Sequence, residues 1–221
     1  MNKIINIAID GPSGAGKSTM AKILAKEMDL VYLDTGAMYR GLAYYVSSKG
    51  IAVDDVAAVE EILPTISMSI NYKEGVQQVI VCGINVTPYI REHAVSMLAS
   101  TISKIPAVRI KLVELQRAIA EGTNCVLDGR DIGSYVLPNA DYKIFLTADA
   151  KERARRRFVD LQLAGSTITE AEVLADVEAR DYQDTHREFA PLVAMPDSII
   201  INSTGLEIEQ SVALIKKAVC K

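Results

Sequence analysis

The sequence has no tryptophan and contains little cysteine or histidine. Its three cysteines, Cys82, Cys125 and Cys220, stand far apart, without the paired spacing of a disulfide framework. They fit a reducing compartment. The two histidines, His93 and His186, have no partner at metal-ligand spacing, so they predict no metal cluster.

Long apolar runs and an excess of positive charge are also missing. No run approaches the roughly 18 residues that a membrane span needs. The N-terminal stretch MNKIINIAIDG is short and lacks a cleavage site, so it is not typical of a signal peptide. The net charge of −4 argues against general affinity for nucleic acid. We expect a cytoplasmic protein that binds neither membrane nor nucleic acid and, since no apolar stripe is left over, a monomer.

The hydrophobic pattern predicts an α/β fold with a parallel β-sheet core flanked by helices. Thr35 and Asp54 are the predicted N-caps of the second and third helices. The predicted core strands are 4–9, 30–33, 124–128, 141–148 and 197–202. The predicted helices are 18–29, 36–49, 55–63, 91–103, 106–121, 151–165, 169–188 and 206–219.

The period of the pattern changes between residues 60 and 90. Apolar and polar residues alternate over 66–72, which is typical of a strand with one solvated face. A turn at KEG and two further short strands, QQVIVC and GINVTP, follow. This stretch predicts a small antiparallel meander inserted into the alternation of strands and helices.

The segment GPSGAGKST, residues 11–19, has the spacing of a phosphate-binding loop (P-loop). It follows an apolar strand and opens a helix, which is the context that this function requires. Glycines allow backbone N–H groups to face phosphate oxygens, and the helix adds its positive N-terminal end. Lys17 can reach the terminal phosphates, and the Ser18 hydroxyl can bind magnesium.

Further charged residues suggest that the group accepting the phosphoryl group is itself a phosphate. Asp128 ends a core strand, where ligands gather in open α/β sheets, and can hold magnesium through water. Arg180, Asp184 and Arg187 are spaced to share one helix face, and Arg153, Arg156 and Arg157 share another. Arg40 lies in the predicted helix after DTG, and Arg130 comes shortly after Asp128. Such a site suits two phosphate-bearing ligands, because phosphoryl transfer needs positioning and charge neutralisation more than a strong base.

Six segments together resemble bacterial cytidylate kinases over almost the whole chain: IDGPSGAGKST, YLDTGAMYRGLA, IR at 90–91, PAVR at 106–109, LDGRDIG at 127–133 and RDYQDTHREFAPL at 180–192. The resemblance implies transfer of the γ-phosphoryl group of ATP to CMP, and also to dCMP, with magnesium. It implies a nucleotide-binding insert at about 60–90 and a helical lid with its following helix at about 149–188. The core would then comprise about 1–59, 91–148 and 189–221.

The resemblance also assigns roles to individual residues. The ATP phosphates would be bound by Gly11, Pro12, Ser13, Gly14, Ala15, Gly16, Lys17, Ser18 and Thr19, and magnesium by Ser18 and Asp128. The acceptor phosphate would be held by Arg40, Arg130 and Arg187, the cytosine edge by Ser100, Arg109 and Asp131, and the sugar by Arg180 and Asp184. Thr35 and Tyr39 would lie near the acceptor nucleotide. Lys17, Arg130, Arg187 and the lid residues Arg153 and Arg157 would act in catalysis.

Three alternatives remain open from the residues themselves. The acceptor could be UMP or a small metabolite alcohol, and the preference among CMP, dCMP and UMP is not given by the sequence. A nucleotide-dependent switch would need guanine-reading residues such as NKxD, which are not found. A nucleic-acid module using Arg153 to Arg157 conflicts with the overall acidity.

Overall fold

The computed structural model describes residues 4–163 and 165–219, so Cys220 lies outside the described residues. The chain divides into two compact units. The first contains residues up to Leu33 and from Ile119 onward, and the second contains Asp34–Ala118. The second unit is therefore larger than the stretch of the predicted meander.

The strands and helices follow the predicted order. The strands are β1 (Asn6–Asp10), β2 (Val31–Asp34), β3 (Met68–Lys73), β4 (Val76–Val81), β5 (Ile84–Asn85), β6 (Cys125–Gly129), β7 (Tyr142–Thr147) and β8 (Ile199–Asn202). The helices are α1 (Lys17–Met28), α2 (Thr35–Ser48), α3 (Val56–Ile62), α4 (His93–Ile102), α5 (Pro106–Glu121), α6 (Ala150–Leu163), α7 (Glu170–His186) and α8 (Ile208–Val219). Within the described residues, no helix combines the length and the apolarity that crossing a membrane demands.

The first unit is built on a five-stranded sheet in the order β2-β6-β1-β7-β8. β1 is the central strand and runs parallel to both β6 and β7, while β8 is parallel to β7. Ile7, Ile9 and Val126 of the sheet pack with Leu24 of α1 and Ile215 of α8, and all five are buried. The predicted parallel core flanked by helices is confirmed. Its carboxyl ends place the phosphate loop after β1 next to the segment after β6.

The second unit contains the predicted antiparallel meander, a three-stranded sheet in the order β3-β4-β5. Helix α2 packs against it closely. A Cβ atom on Gly41 would lie 2.6 Å from a side-chain carbon of Val79 on β4 and 3.3 Å from one of Val86. The absence of a side chain at Gly41 therefore allows α2 to pack closely against the meander.

Both predicted N-caps were displaced by one residue. Asp34, not Thr35, caps α2, because its carboxylate accepts a hydrogen bond from the Ala37 N–H at 2.8 Å. Asp55, not Asp54, caps α3 in the same way through the Ala58 N–H. In both cases two adjacent residues are good caps, and composition alone does not choose between them.

Candidate active site

The phosphate loop connects β1 to α1 across the top of the sheet, as predicted. Gly11 opens it with φ of 146°, in the region that favours glycine. A Cβ atom at this position would lie 1.9 Å from the backbone oxygen of Leu146 on the neighbouring strand β7. Gly16 ends the loop as the N-cap of α1, so the loop lies at the positive N-terminal end of that helix.

Lys17 is buried at the first turn of α1, with its side chain folded along the loop. Its Nζ donates a hydrogen bond to the Pro12 carbonyl oxygen at 2.7 Å. Burial, followed by the positive charge of Arg130, lowers the pKa of Lys17 well below its ordinary value. A buried ammonium beside other cations is stabilised by the arrival of a polyphosphate.

Ser18 and Asp128 are brought together, as their shared metal assignment requires. The Ser18 hydroxyl donates to Asp128 Oδ2 at 2.7 Å, and the Tyr32 hydroxyl donates to Asp128 Oδ1 at 2.9 Å. Asp128 is buried near the end of β6. A hydroxyl and a carboxylate are the hard oxygen ligands that Mg²⁺ prefers.

Asp10 organises the segment that follows β6. Its carboxylate accepts hydrogen bonds at 2.7 Å from the N–H groups of both Ile132 and Gly133. These residues begin the π-helical turn Ile132–Val136, directly after Arg130 and Asp131. Burial raises the pKa of Asp10 to about 6, while the two amide hydrogen bonds oppose that rise.

Asp184 gathers the arginines predicted to bind the acceptor. It accepts a hydrogen bond from Arg130 Nε at 2.7 Å, and its carboxylate lies 4.0 Å from Arg180 and 3.7 Å from Arg187. Arg187 also lies 3.5 Å from Asp131. Although burial opposes ionisation, the charges of Arg130, Arg180 and Arg187 hold the pKa of Asp184 below its ordinary value.

The predicted shared helix face of these residues was wrong for one of them. Helix α7 ends at His186, and Arg187 is its C-cap with extended backbone angles. Arg187 therefore reaches the cluster from the chain that leaves the helix, where its Nε donates to the Ala190 carbonyl at 2.6 Å. Spacing correctly indicated that Arg187 lies near the cluster but wrongly predicted that it belongs to the helix.

The arginines of α6 occupy different environments. Arg153 is buried and donates hydrogen bonds to the carbonyls of Ala148 and Ser13. Arg155 and Arg156 both pair with Glu152 on their own helix. Hydrogen bonds from Arg155, and then from Arg156, lower the pKa of Glu152 to about 2 although burial opposes this shift. Arg157 is half-buried.

In the second unit, Arg40 lies over the first turn of its own helix. Its Nη2 forms an ion pair with Asp34 Oδ2 at 2.9 Å. A Cβ atom on Gly36 would come within 3.1 Å of Arg40 Nη1 and 3.2 Å of Asp34 Oδ1. The sequence DTG thus supplies a helix cap, a counter-charge for Arg40 and the space for that pair to form.

The predicted base-reading residues of this unit lie on α4 and α5. Arg109 is 2% exposed, and its guanidinium carbon is 5.5 Å from the centroid of the Tyr39 ring, an arrangement that favours a cation–π contact. Ser100 and Thr35 are also buried. A buried guanidinium and hydroxyl provide donors of fixed direction, which suits recognition of a planar base.

Sequence reasoning missed the residues that support these side chains. Asp10, Tyr32 and Asp34 stood inside quoted segments but received no role, and Asp181 was overlooked beside Arg180. Asp10, Asp34 and Asp181 each adjoin a predicted residue, and Tyr32 lies in the same quoted segment as Thr35; that was the signal available. Their partners lie 3 to 123 positions away.

The fold, together with one set of residues in each unit, defines a phosphate-loop phosphotransferase. The first unit contains a loop suited to a polyphosphate, a hydroxyl–carboxylate pair suited to a metal and an arginine cluster around Asp184. Arg40 and a buried set suited to a planar base occur in the second. Comparison with known proteins narrows this class.

A family model for cytidylate kinase matches residues 7–221. A cytidylate kinase of Caldicellulosiruptor saccharolyticus is 47% identical over 208 residues, which cover 94% of this chain and 92% of the relative. One of Desulfitobacterium hafniense is 46% identical over 212 residues, with 96% and 91% covered. The chain belongs to the cytidylate kinase family, and it is a kinase.

Among solved structures, an uncharacterized protein from Eubacterium ventriosum superposes with a TM-score of 0.52. It is 14% identical and covers 98% of this chain and 99% of its own. At that identity the likeness concerns the fold alone. It agrees with the sheet and helix arrangement described above.

Proposed function

We propose that this protein transfers the γ-phosphoryl group of ATP to CMP, giving ADP and CDP, and that dCMP is also an acceptor. The observation that carries the proposal is a family match that spans both the phosphate loop and the arginine cluster around Asp184. The reaction takes place in the cytoplasm, and the protein acts as a monomer.

The loop residues bind the ATP phosphates, mainly through backbone N–H groups. The side chain of Lys17 neutralises the β- and γ-phosphates as charge shifts during transfer. Lys17 is already held next to the loop by its hydrogen bond to Pro12. The residues of this donor site are Gly11, Pro12, Ser13, Gly14, Ala15, Gly16, Lys17, Ser18 and Thr19.

Ser18 and Asp128 would hold magnesium, Asp128 through water. Their oxygen atoms fit the ion, and Mg²⁺ takes its other ligands from phosphates and water. When bound, the ion would neutralise negative charge that develops on the phosphate oxygens during transfer. Tyr32 keeps the Asp128 carboxylate oriented for this purpose.

Three arginines, Arg40, Arg130 and Arg187, hold the acceptor phosphate. A nucleoside monophosphate is largely a dianion at neutral pH, since its second pKa is about 6. It needs no strong general base, so the arginines act by positioning the phosphate and offsetting its charge. Arg130 and Arg187 are preorganised by Asp184.

Cytosine is read by one acceptor and two donors. Asp131 accepts from the exocyclic amino group, while Ser100 and Arg109 donate to the ring nitrogen and carbonyl. Arg180 and Asp184 contact the sugar, and Thr35 and Tyr39 lie beside the nucleotide. Arg157 lies on α6, the predicted lid helix, and contacts the transferring phosphoryl group when the lid closes and excludes water.

An ADP-release assay with magnesium and ATP tests this function. CMP, dCMP, UMP, AMP and GMP are compared with a blank that contains no acceptor. We expect turnover with CMP and dCMP, and little with the other acceptors. ADP release in the blank alone would instead identify an ATPase or switch, and equal turnover with UMP would remove the base assignment.

The variant Asp131→Asn sharpens the assay. UMP carries a carbonyl where CMP carries an amino group, so the amide at residue 131 can donate to UMP as the carboxylate cannot. We expect the ratio of kcat/KM for CMP to that for UMP to fall. An unchanged ratio would contradict the role of Asp131 in reading the base.

A further inference from the structure

The phosphate loop rests on helix α6, and Arg153 makes the connection. Its Nη1 donates to the carbonyl oxygen of Ser13 at 3.0 Å, and its Nε donates to that of Ala148 at 2.8 Å. A Cβ atom on Gly14 would lie 3.0 Å from the backbone oxygen of Arg153. The side chain and the backbone of Arg153 thus contact two successive loop residues.

The contact with Ser13 fixes a loop N–H group. The Ser13 carbonyl and the Gly14 N–H belong to one planar trans peptide and point in opposite directions. Holding the carbonyl toward Arg153 therefore turns the Gly14 N–H away from α6. Lys17 orients the Ser13 N–H similarly, through the Pro12 carbonyl. Backbone N–H groups are the donors by which such loops bind phosphate.

Asp181 of α7 holds Arg153 in this position. Nη1 and Nη2 of Arg153 donate to Asp181 Oδ1 at 3.1 Å and Oδ2 at 2.5 Å, respectively. Two parallel charge-assisted hydrogen bonds fix the guanidinium plane as well as its charge. The Arg153 side chain is only 5% exposed, so its charge depends on this partner. Arg155 differs, because it is 59% exposed and pairs within its own helix.

We propose that Asp181 and Arg153 are positioning residues that hold the phosphate loop in its ATP-binding conformation. They act through the Ser13–Gly14 peptide, whereas Arg157 contacts the transferring group. The proposal rests on the proposed function, since it concerns the loop that binds the donor. Arg153 thereby acts through the loop backbone, a role different from the contact with the transferring phosphoryl group proposed for Arg157.

Nucleotide binding measured by calorimetry tests this pair without turnover. A non-hydrolysable ATP analogue and CMP are titrated separately into wild type, Asp181→Asn, Asp181→Glu and the control Glu178→Gln. Glu178 is an exposed acid on the same helix. We expect Asp181→Asn to weaken the ATP analogue about tenfold, because one charge-assisted pair is lost. CMP affinity should change less than about twofold, because Asp184, which holds the acceptor arginines, is unaltered. On this scale a tenfold change in affinity equals about 1.4 kcal/mol.

Asp181→Glu, Glu178→Gln and a further variant, Arg153→Lys, separate positioning from general structure. Asp181→Glu keeps the carboxylate and should recover most of the affinity for the ATP analogue, while Glu178→Gln should match wild type. Arg153→Lys keeps the charge but not the planar fork, and should also weaken the ATP analogue selectively.

Unchanged affinity for the ATP analogue in folded Asp181→Asn and Arg153→Lys would overturn the proposal. Equal weakening of both ligands would also overturn it, because a general loss of structure has no preference for the donor. If wild type binds the ATP analogue in an Asp181-dependent way but does not phosphorylate CMP, the proposed function fails and the positioning pair stands.

Discussion

Arg130 is held in place by the protein itself. Its Nε donates to Asp184 Oδ2, and its Nη1 lies 3.3 Å from the carbonyl oxygen of Gly129. The side chain is 18% exposed, so part of it reaches solvent while its charge is anchored. An anchored guanidinium can neutralise phosphate charge without reorganising during the reaction. This makes Arg130 the residue at which a role in turnover can be separated from a role in stability.

The substitution Arg130→Ala should reduce kcat by about a hundredfold or more, the range found when a preorganised charge-stabilising donor is removed. Steady-state kinetics with CMP measure this loss, and circular dichroism with a melting curve tests the fold. Arg130→Lys serves as the control that keeps the charge but loses the Nε hydrogen bond to Asp184. Near-normal turnover in a folded Arg130→Ala protein would refute the role.

Gly11 offers a second residue-scale prediction. Alanine there would place a Cβ atom 1.9 Å from the Leu146 oxygen at φ of 146°. Gly50→Ala is the matched control, since Gly50 has φ of 77° but nothing lies within 4 Å of the position that its Cβ atom would take. We expect Gly50→Ala to cost about 1 kcal/mol in the free energy of unfolding. Gly11→Ala should cost clearly more and weaken ATP binding; equal costs would show that the clash is relieved without moving the loop.

Single residues were predictable where spacing carries the chemistry. The order of glycines, Lys17 and Ser18, placed between an apolar strand and a helix, predicts a phosphate loop. The burial of Arg153 was not predictable among four neighbouring arginines. Its environment depends on Asp181, 28 residues further along, and on Ser13, 140 residues earlier. Helical periodicity gives a face but does not identify the partner of that face.

At the scale of elements, helix α7 supports both predicted ligand sites. It carries Asp181, which holds Arg153, and Asp184, which holds Arg130. Its N-terminus has a capping box, in which the Thr169 hydroxyl accepts from the Glu172 N–H and the Glu172 carboxylate accepts from the Thr169 N–H. A stable N-terminus favours the helical conformation of α7 as far as Asp181 and Asp184.

The cap can be tested by Thr169→Ala, which should lower the free energy of unfolding by about 1 kcal/mol. Thr185→Ala is the matched control, because Thr185 is exposed in the last turn of the same helix and alanine favours helix. Hydrogen exchange of α7 amides, together with melting curves, measures the difference. Equal effects of the two substitutions would argue against a stabilising role for the capping box.

The sequence predicted most elements because their periods are clear. Alternation over Ile66 to Tyr72 correctly indicated a strand of the meander, although the strand begins at Met68. The π-helical turn Ile132–Val136 was not predicted. Its first two N–H groups bond to Asp10, more than 120 positions earlier, so no local pattern could announce it.

At the scale of the whole molecule, the division of the chain into two compact units depends on packing contacts that hydrophobic periodicity does not report. The change of period marked the meander at 60–90, but the second unit extends over Asp34–Ala118. Helix α2 belongs to that unit through contacts such as those of Gly41 with Val79 and Val86. The net charge of −4 likewise does not report the local gathering of Arg130, Arg180 and Arg187 around Asp184, which the spacing of these residues indicated only in part. Total charge and periodicity are averages, and sites are built from exceptions to them.

Asp10 connects this buried architecture to the stability of the whole chain. Its pKa is about 6 in the folded protein, against about 3.9 in an unfolded chain. The stability contributed by this group is therefore fully present below about pH 4 and is lost as the pH rises through about 6. The loss is on the order of 3 kcal/mol, because each unit of pKa difference corresponds to about 1.4 kcal/mol.

The substitution Asp10→Asn isolates that contribution. Asparagine does not titrate, and its amide nitrogen cannot accept from the N–H of Ile132 or Gly133, so the variant should be less stable than wild type at low pH. The advantage of wild type in the free energy of unfolding should shrink between pH 4 and pH 7, as its buried carboxyl ionises. Groups such as Asp184 titrate in both proteins and cancel in the difference. An advantage that stays constant or grows with pH would contradict the raised pKa, and a carboxyl NMR titration of Asp10 with its midpoint near 4 would do so directly.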